Sequence, residues 1–89
     1  MSGTPISNFA LSSHAQVAIR EREIDEAWIK LTLLEPQKSE PDSEDPELFH
    51  YLRVIPEFGG RVLRVIVNYK KVPVSIVTAF FDRSMKGKL

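Results

Sequence analysis

The sequence predicts an α+β fold, in which two N-terminal helices pack on one face of a three- to four-stranded antiparallel sheet in the order (β)ααβββ. Three observations carry this expectation. Apolar residues recur at helical spacing between Ser13 and Leu34. Three strand-like runs follow: Phe49–Ile55, Arg61–Tyr69 and Val74–Phe81. Between the first two stands Phe58-Gly59-Gly60, where glycine can adopt the positive φ of a tight turn. The 89 residues are enough for one domain, with little room for a second core.

Met1–Asn8 is small and polar with Pro5, and is expected to be frayed. Phe9-Ala10-Leu11-Ser12 fits a short edge strand leading into the first helix. Ser13 followed by Gln16 is a capping-box signature, and Ala15, Ala18 and Ile19 supply the apolar stripe. The helix should end near Arg22. His14, Ala18 and Arg22 lie four apart, so His14 and Arg22 share one side, about 12 Å apart at a rise of roughly 1.5 Å per residue. Asp25 is placed to cap a second helix, roughly Glu26–Leu34, with Ile24 able to staple against Ile29. Ala27, Trp28, Leu31 and Leu34 are its expected buried side, and the short joint implies an angled or hairpin pair.

Residues 35–47 hold three prolines, two serines and six acids, with no apolar residue to bury, and are expected to form a mobile acidic loop. Such a segment is ordinarily just a loop; beside a basic groove it could also act as a screen. Lys70-Lys71-Val72-Pro73 supplies the second turn of the sheet, and residues 84–89 are expected to be a flexible tail. In the second long strand Leu63, Val65 and Val67 alternate with Val62, Arg64, Ile66 and Asn68, and the all-apolar set should meet the helices. In the third, Val77, Ala79 and Phe81 alternate with Val74, Ile76, Thr78 and Phe80, which makes both faces apolar. That excess favours a partner protein or self-association through the sheet face; the alternative is a sheet covered by its own N-terminal segment and tail.

Composition is that of an ordinary globular protein, with 43% hydrophobic and 27% charged residues. No run approaches a membrane span, and no signal-peptide layout opens the chain, so a cytoplasmic setting and no membrane partner are expected. Cysteine is absent, which excludes disulfides, thiolate nucleophiles and cysteine-based zinc sites. His14 and His50 are too few for a convincing metal site, and neither a metal nor any other cofactor is expected. The net charge of zero hides an asymmetry: four basic residues against ten acids in Met1–Glu47, and eight against two in Leu48–Leu89. The C-terminal half thus either faces a polyanion or balances the N-terminal half within the monomer.

His14-Ala15, Glu21-Arg22-Glu23-Ile24 and Val77-Thr78-Ala79-Phe80 together resemble the DUF4258 family of small bacterial proteins, from about Phe9 to Phe81. That family has been grouped with toxin-like nucleases of the RelE, barnase, colicin and EndoU type. The resemblance implies a RelE-toxin-like fold and metal-free RNA cleavage with the 2′-hydroxyl as nucleophile. It carries over His14, Arg22 and Thr78 as candidate catalytic residues, and a cognate antitoxin as candidate partner. The family often has a basic residue where this chain has Ala18, and a glycine where it has Glu23. The first departure would weaken phosphate binding, and the second would set a repelling acid beside the site.

Metal-free cleavage of RNA needs a base near the 2′-hydroxyl, an acid near the leaving oxygen and cations on the phosphorane. His14 can serve as base or acid, and the N-terminal end of a helix favours its neutral, base-competent form. Arg22 and Arg64 can grip a phosphate bidentately, Thr78 can position a phosphate oxygen or water, and Arg53, Arg61 and Arg83 extend the candidate phosphate-binding set. Each residue also has a plainer role. A histidine at a helix start is commonly a surface or capping residue, Arg22 can answer the helix dipole or pair with Glu26, and Thr78 suits a strand. His50 and Tyr51 can reach the groove near Arg53, although a strand aromatic is ordinarily core, as Trp28 is expected to be.

The first functional expectation is therefore a toxin-like, metal-free endoribonuclease of a toxin–antitoxin type system, with RNA as substrate. Its rival is a non-catalytic interaction module or homodimer of the same fold. A DNA-binding regulator is disfavoured, because no helix concentrates basic residues for a major groove.

Overall fold

The computed structural model describes residues 6–89. Five strands form one mixed sheet in the order β1-β5-β4-β3-β2: β1 Phe9–Leu11, β2 Lys38–Pro41, β3 Leu48–Ile55, β4 Arg61–Asn68 and β5 Val74–Phe81. Helices α1 (Ser13–Glu21) and α2 (Glu26–Leu34) cover one face. The α+β class agrees with the expectation, whereas the wholly antiparallel sheet of three to four strands does not. The first strand, β1, pairs parallel to β5, and β2 adds a fifth strand antiparallel to β3.

Strand β2 lies inside the segment expected to be a loop. Its side chains give no apolar alternation, and its pairing rests on polar anchors. Gln37 N–H donates to Leu52 O at 2.9 Å, Gln37 Oε1 accepts from Val54 N–H at 2.7 Å, and Glu40 accepts from Arg64 at 3.2 Å. Pro41 is tolerated because it ends an edge strand, where a missing N–H breaks no inner ladder. Of the N-terminal stretch expected to fray, residues 1–5 lie outside the described residues. Ile6 is tied down, with its N–H on Leu33 O at 2.9 Å and its side chain against the core.

Both helices begin on side-chain caps. Ser12, not Ser13, caps α1, accepting from Ala15 N–H at 3.0 Å. Ser12 wins because β5 holds it as well: its N–H donates to Ile76 O and its hydroxyl to Val77 O. Asp25 caps α2 through Ala27 N–H at 2.8 Å, and Ile24 and Ile29 both enter the core, as a hydrophobic staple requires. That staple fixes the rotation of α2. Ile29, Thr32 and Leu33 are fully buried, while Ala27 and Leu34 are exposed, contrary to the expected stripe. Six of the nine positions of α2 are apolar, so spacing alone left its inward face open. The buried Thr32 hydroxyl is satisfied by Trp28 O at 2.8 Å.

Leu63, Val65 and Val67 of β4 face the helices, as their alternation implies. In β5 the alternation breaks. Ile66 pairs with Thr78 but Val67 with Ile76, which leaves Val77 as the extra residue of a β-bulge. The bulge lets Ile76 and Ala79 both reach the core, and turns Thr78 and Phe80 to the far face. On that face Leu52 and Val62 are buried within the chain. Among the described residues, the exposed large apolar side chains are Val17 of α1, Leu34 at the end of α2, Tyr69 and Val72 of the β4–β5 turn, and Leu89. None of the described helices is long and apolar enough to cross a membrane.

Candidate functional site

Helix α1 stops in a Schellman arrangement. Glu23 N–H donates to Arg20 O at 3.2 Å and Ile24 N–H to Ile19 O at 3.0 Å, with Glu23 in the left-handed region at φ 53°. The C-cap residue is Arg22. From there its guanidinium Nη1 reaches the outer edge of β5, donating to Ala79 O at 2.9 Å and to Thr78 Oγ1 at 3.3 Å. Among the described residues, this edge of β5 has no strand partner beyond the short β1, and Arg22 occupies one of its carbonyls. Two of the residues singled out from sequence, Arg22 and Thr78, thus meet.

Beside them, an open cleft of about 590 Å³ is lined by Arg22, Arg61, Val62, Phe80, Phe81, Asp82, Arg83 and Lys86. Four cations share it with one acid. One lining residue, Phe81, belongs to an aromatic cluster with Trp28 and Phe58 at centroid separations of 4.8 to 6.0 Å, and the Arg61 guanidinium lies 4.5 Å over Phe58. Arg83 and Lys86 come from the segment after β5, where a single 3-10 turn spans Arg83–Met85. The expected flexible tail thus begins as a wound turn that brings Lys86 to the cleft.

The remaining candidates lie elsewhere. His14 is exposed in the first turn of α1, at the other end of the helix from Arg22, and does not line the cleft. Arg53 shares the helix-side face of the sheet with Leu63, and its Nη1 donates to Glu35 O at 2.6 Å, answering the C-terminus of α2. Its Nε is buried without a partner. Arg64 is mostly buried on the far face. Its Nε donates to Asp82 Oδ2 at 2.9 Å, and its Nη1 contacts Glu40 Oε2 at 3.2 Å and His50 Nδ1 at 2.7 Å. A guanidinium carries only donors, so His50 Nδ1 accepts and its Nε2–H donates to Asp42 Oδ1 at 2.7 Å.

The result is a continuous polar chain, Asp42–His50–Arg64–Asp82, running under the sheet to the cleft. Its carboxylates are correspondingly acidic. Asp42 is lowered to about 2 by the Asp45 and Glu44 backbone N–H groups together with His50. Asp82 is lowered by its hydrogen bonds from Ser84 and Arg64, and Glu40 chiefly by Arg64. Tyr51 is raised by burial and sits in the core.

Chemically, the cleft can hold phosphates by charge and by bidentate guanidinium contacts, and Phe80 and Phe81 add apolar surface beside them. Among the described residues no group of His, Asp and Glu side chains is placed to hold a metal ion. Sequence reasoning missed Lys86 and Asp82. Lys86 had no strand or helix pattern to mark it, and Asp82 had only its position after the last β-branched run.

Glu47, the last acid of the 35–47 segment, lies at the far corner of the sheet. Glu47 O accepts from Tyr69 N–H at 3.2 Å and Glu47 Oε1 from Asn68 Nδ2 at 3.3 Å, at the end of β4 opposite Arg61. Glu40 of the same segment instead reaches Arg64, behind the cleft. The acidic segment does not cover the cleft.

No curated protein and no solved structure matches the chain. The family model of a domain of unknown function, DUF4258, matches residues 11–81, and the chain belongs to that family.

Proposed function

We propose that this chain is a metal-independent endoribonuclease of toxin-like type, acting in the cytoplasm on single-stranded RNA laid across the Arg22–Lys86 cleft. The observation that supports the reading is the convergence of Arg22, Arg61, Arg83 and Lys86 on one open cleft beside Phe80 and Phe81. In this reading the RNA 2′-hydroxyl gives its proton to solvent water as it attacks the adjacent phosphorus, the bond to the 5′-oxygen breaks, and the cations absorb the charge of the phosphorane. Arg22, held on Thr78 and Ala79, meets the phosphate already oriented, and Lys86 supplies the proton for the departing 5′-oxygen. A cognate antitoxin presenting acids to the cleft would silence it, as would a second copy of the chain.

The rival reading, a non-catalytic interaction module of the same fold, is favoured by one observation: His14, the candidate base, stands outside the cleft. One experiment separates the two. Total RNA is incubated in EDTA with the purified protein and with Arg61→Ala/Arg83→Ala, whose two side chains are exposed. Cleavage that falls at least 100-fold in a folded double variant supports the nuclease. Equal cleavage by both refutes a cleft-borne site, and RNA binding without cleavage by either selects the interaction module.

A further inference from the structure

Asp82 stands among four cations in the cleft, where bare electrostatics gives it a harmful part: a carboxylate repels the polyanion that its neighbours attract. Its hydrogen bonds suggest another role. The Asp82 Oδ1 atom accepts from Ser84 N–H at 3.0 Å and from Ser84 Oγ–H at 2.6 Å, and Oδ2 accepts from Arg64 Nε–H at 2.9 Å. Its own N–H donates to Val62 O at 2.8 Å, fixing its backbone to the start of β4. The Ser84 bonds cap the 3-10 turn, closed by Met85 N–H on Asp82 O at 3.2 Å and Lys86 N–H on Arg83 O at 3.3 Å. Arg83 and Lys86, half of the cleft's cations, come from this turn and the residue that ends it.

We propose that Asp82 is a positioning residue, which winds the segment after β5 so that Arg83 and Lys86 face the cleft, with Arg64 as the buried counter-ion that holds its carboxylate in place. The assignment rests on the reading of the cleft as a polyanion site. It also gives Arg64 a different task from the one expected of it. With its side chain only 12% exposed and engaged by Asp82, Glu40 and His50, Arg64 serves the cleft from behind and does not grip phosphate itself. The Asp42–His50 pair orients this counter-ion in turn, since Arg64 donates to the ring nitrogen opposite the one that Asp42 holds.

The two roles of an acid in a cationic cleft predict opposite signs. Binding of a fluorescent ten-nucleotide oligouridylate is measured by anisotropy over a series of KCl concentrations, for wild type, Asp82→Ala and Ser84→Ala. If Asp82 merely repels, Asp82→Ala binds more tightly. Positioning predicts at least fivefold weaker binding, and a log–log salt slope smaller by up to about 1.4, for two phosphate contacts at about 0.7 each. Ser84→Ala, which keeps the acid and loses the hydroxyl bond, should weaken binding in the same direction. It decides the matter should Asp82→Ala fail to fold. Tighter binding, or weaker binding at an unchanged slope, overturns the proposal. If wild type binds no oligonucleotide, the polyanion reading itself fails. Amide hydrogen exchange at Met85 and Lys86 then judges positioning alone: acceleration of tenfold or more in either variant supports it, and unchanged exchange in both overturns it.

Discussion

Glu23→Gly should stabilise the protein, although it removes a charged side chain and adds no contact. Glu23 occupies C′ of α1 with φ 53°, the position that closes the Schellman pair of hydrogen bonds. A residue with a Cβ pays roughly 1–2 kcal/mol in the left-handed region, and glycine does not. Glycine loses more freedom on folding, which returns roughly 0.4–1 kcal/mol to the unfolded chain. The expected net gain is about 1 kcal/mol, or a rise in Tm of roughly 4–8 °C for a domain of this size. Thermal and urea unfolding of wild type, Glu23→Gly and Glu23→Ala measure it. The alanine variant separates backbone from charge: it retains a Cβ and should stay within about 0.5 kcal/mol of wild type. If glycine is no more stable than alanine, the strain assigned to this turn is absent and the reasoning fails. The substitution also removes an acid from the residue beside Arg22, so RNA affinity at low salt should rise or hold, not fall.

Two further expectations follow from the polar anchors. Asp42 has its folded pKa lowered from 3.8 to about 2, so the stability it contributes is fully present above its unfolded value and is lost as pH falls from 3.8 through 2. Urea unfolding at pH 5, 3 and 2 should therefore show a shallower acid loss in Asp42→Asn than in wild type; parallel losses would contradict the assignment. Arg53→Met should destabilise by about 1–2 kcal/mol, through loss of a charged hydrogen bond to Glu35 O at the end of α2, while RNA affinity stays within twofold. Weakened RNA binding at unchanged stability would instead return Arg53 to the phosphate-binding set.

What could be read from the sequence was what local chemistry dictates. Asp25 marked the start of the second helix and Ser13 that of the first to within one residue, and Gly59-Gly60 marked the β3–β4 turn, where both glycines take positive φ. The β-branched runs gave β3, β4 and β5 nearly to the residue. The losses in the sheet were non-local. Strand β2 has no apolar side to announce it and exists because Gln37 and Glu40 find partners on β3 and β4. The parallel pairing of β1 depends on where β5 lies, and the bulge at Val77 on the register against Ile66 and Val67.

The site divides in the same way. Arg22 with Thr78 came from a family motif, and the structure brings the pair together. Charge alone made Arg53 and Arg64 look like Arg61 and Arg83. Their faces and registers sent one to a helix end and the other into an acid network. Composition foretold a cationic half without its geometry, in which Glu40 and Asp82 meet Arg64 while Arg61, Arg83 and Lys86 share the cleft with Arg22.

The most direct test of the account is the salt dependence of single-stranded RNA binding across a panel of single charge removals. Arg61→Ala, Arg83→Ala and Lys86→Ala should each weaken binding and lower the log–log salt slope by about 0.7, while Lys30→Ala and Arg53→Ala leave the slope unchanged. Equal effects from the cleft and the control positions would mean that RNA senses only net charge, and would contradict the existence of a built site.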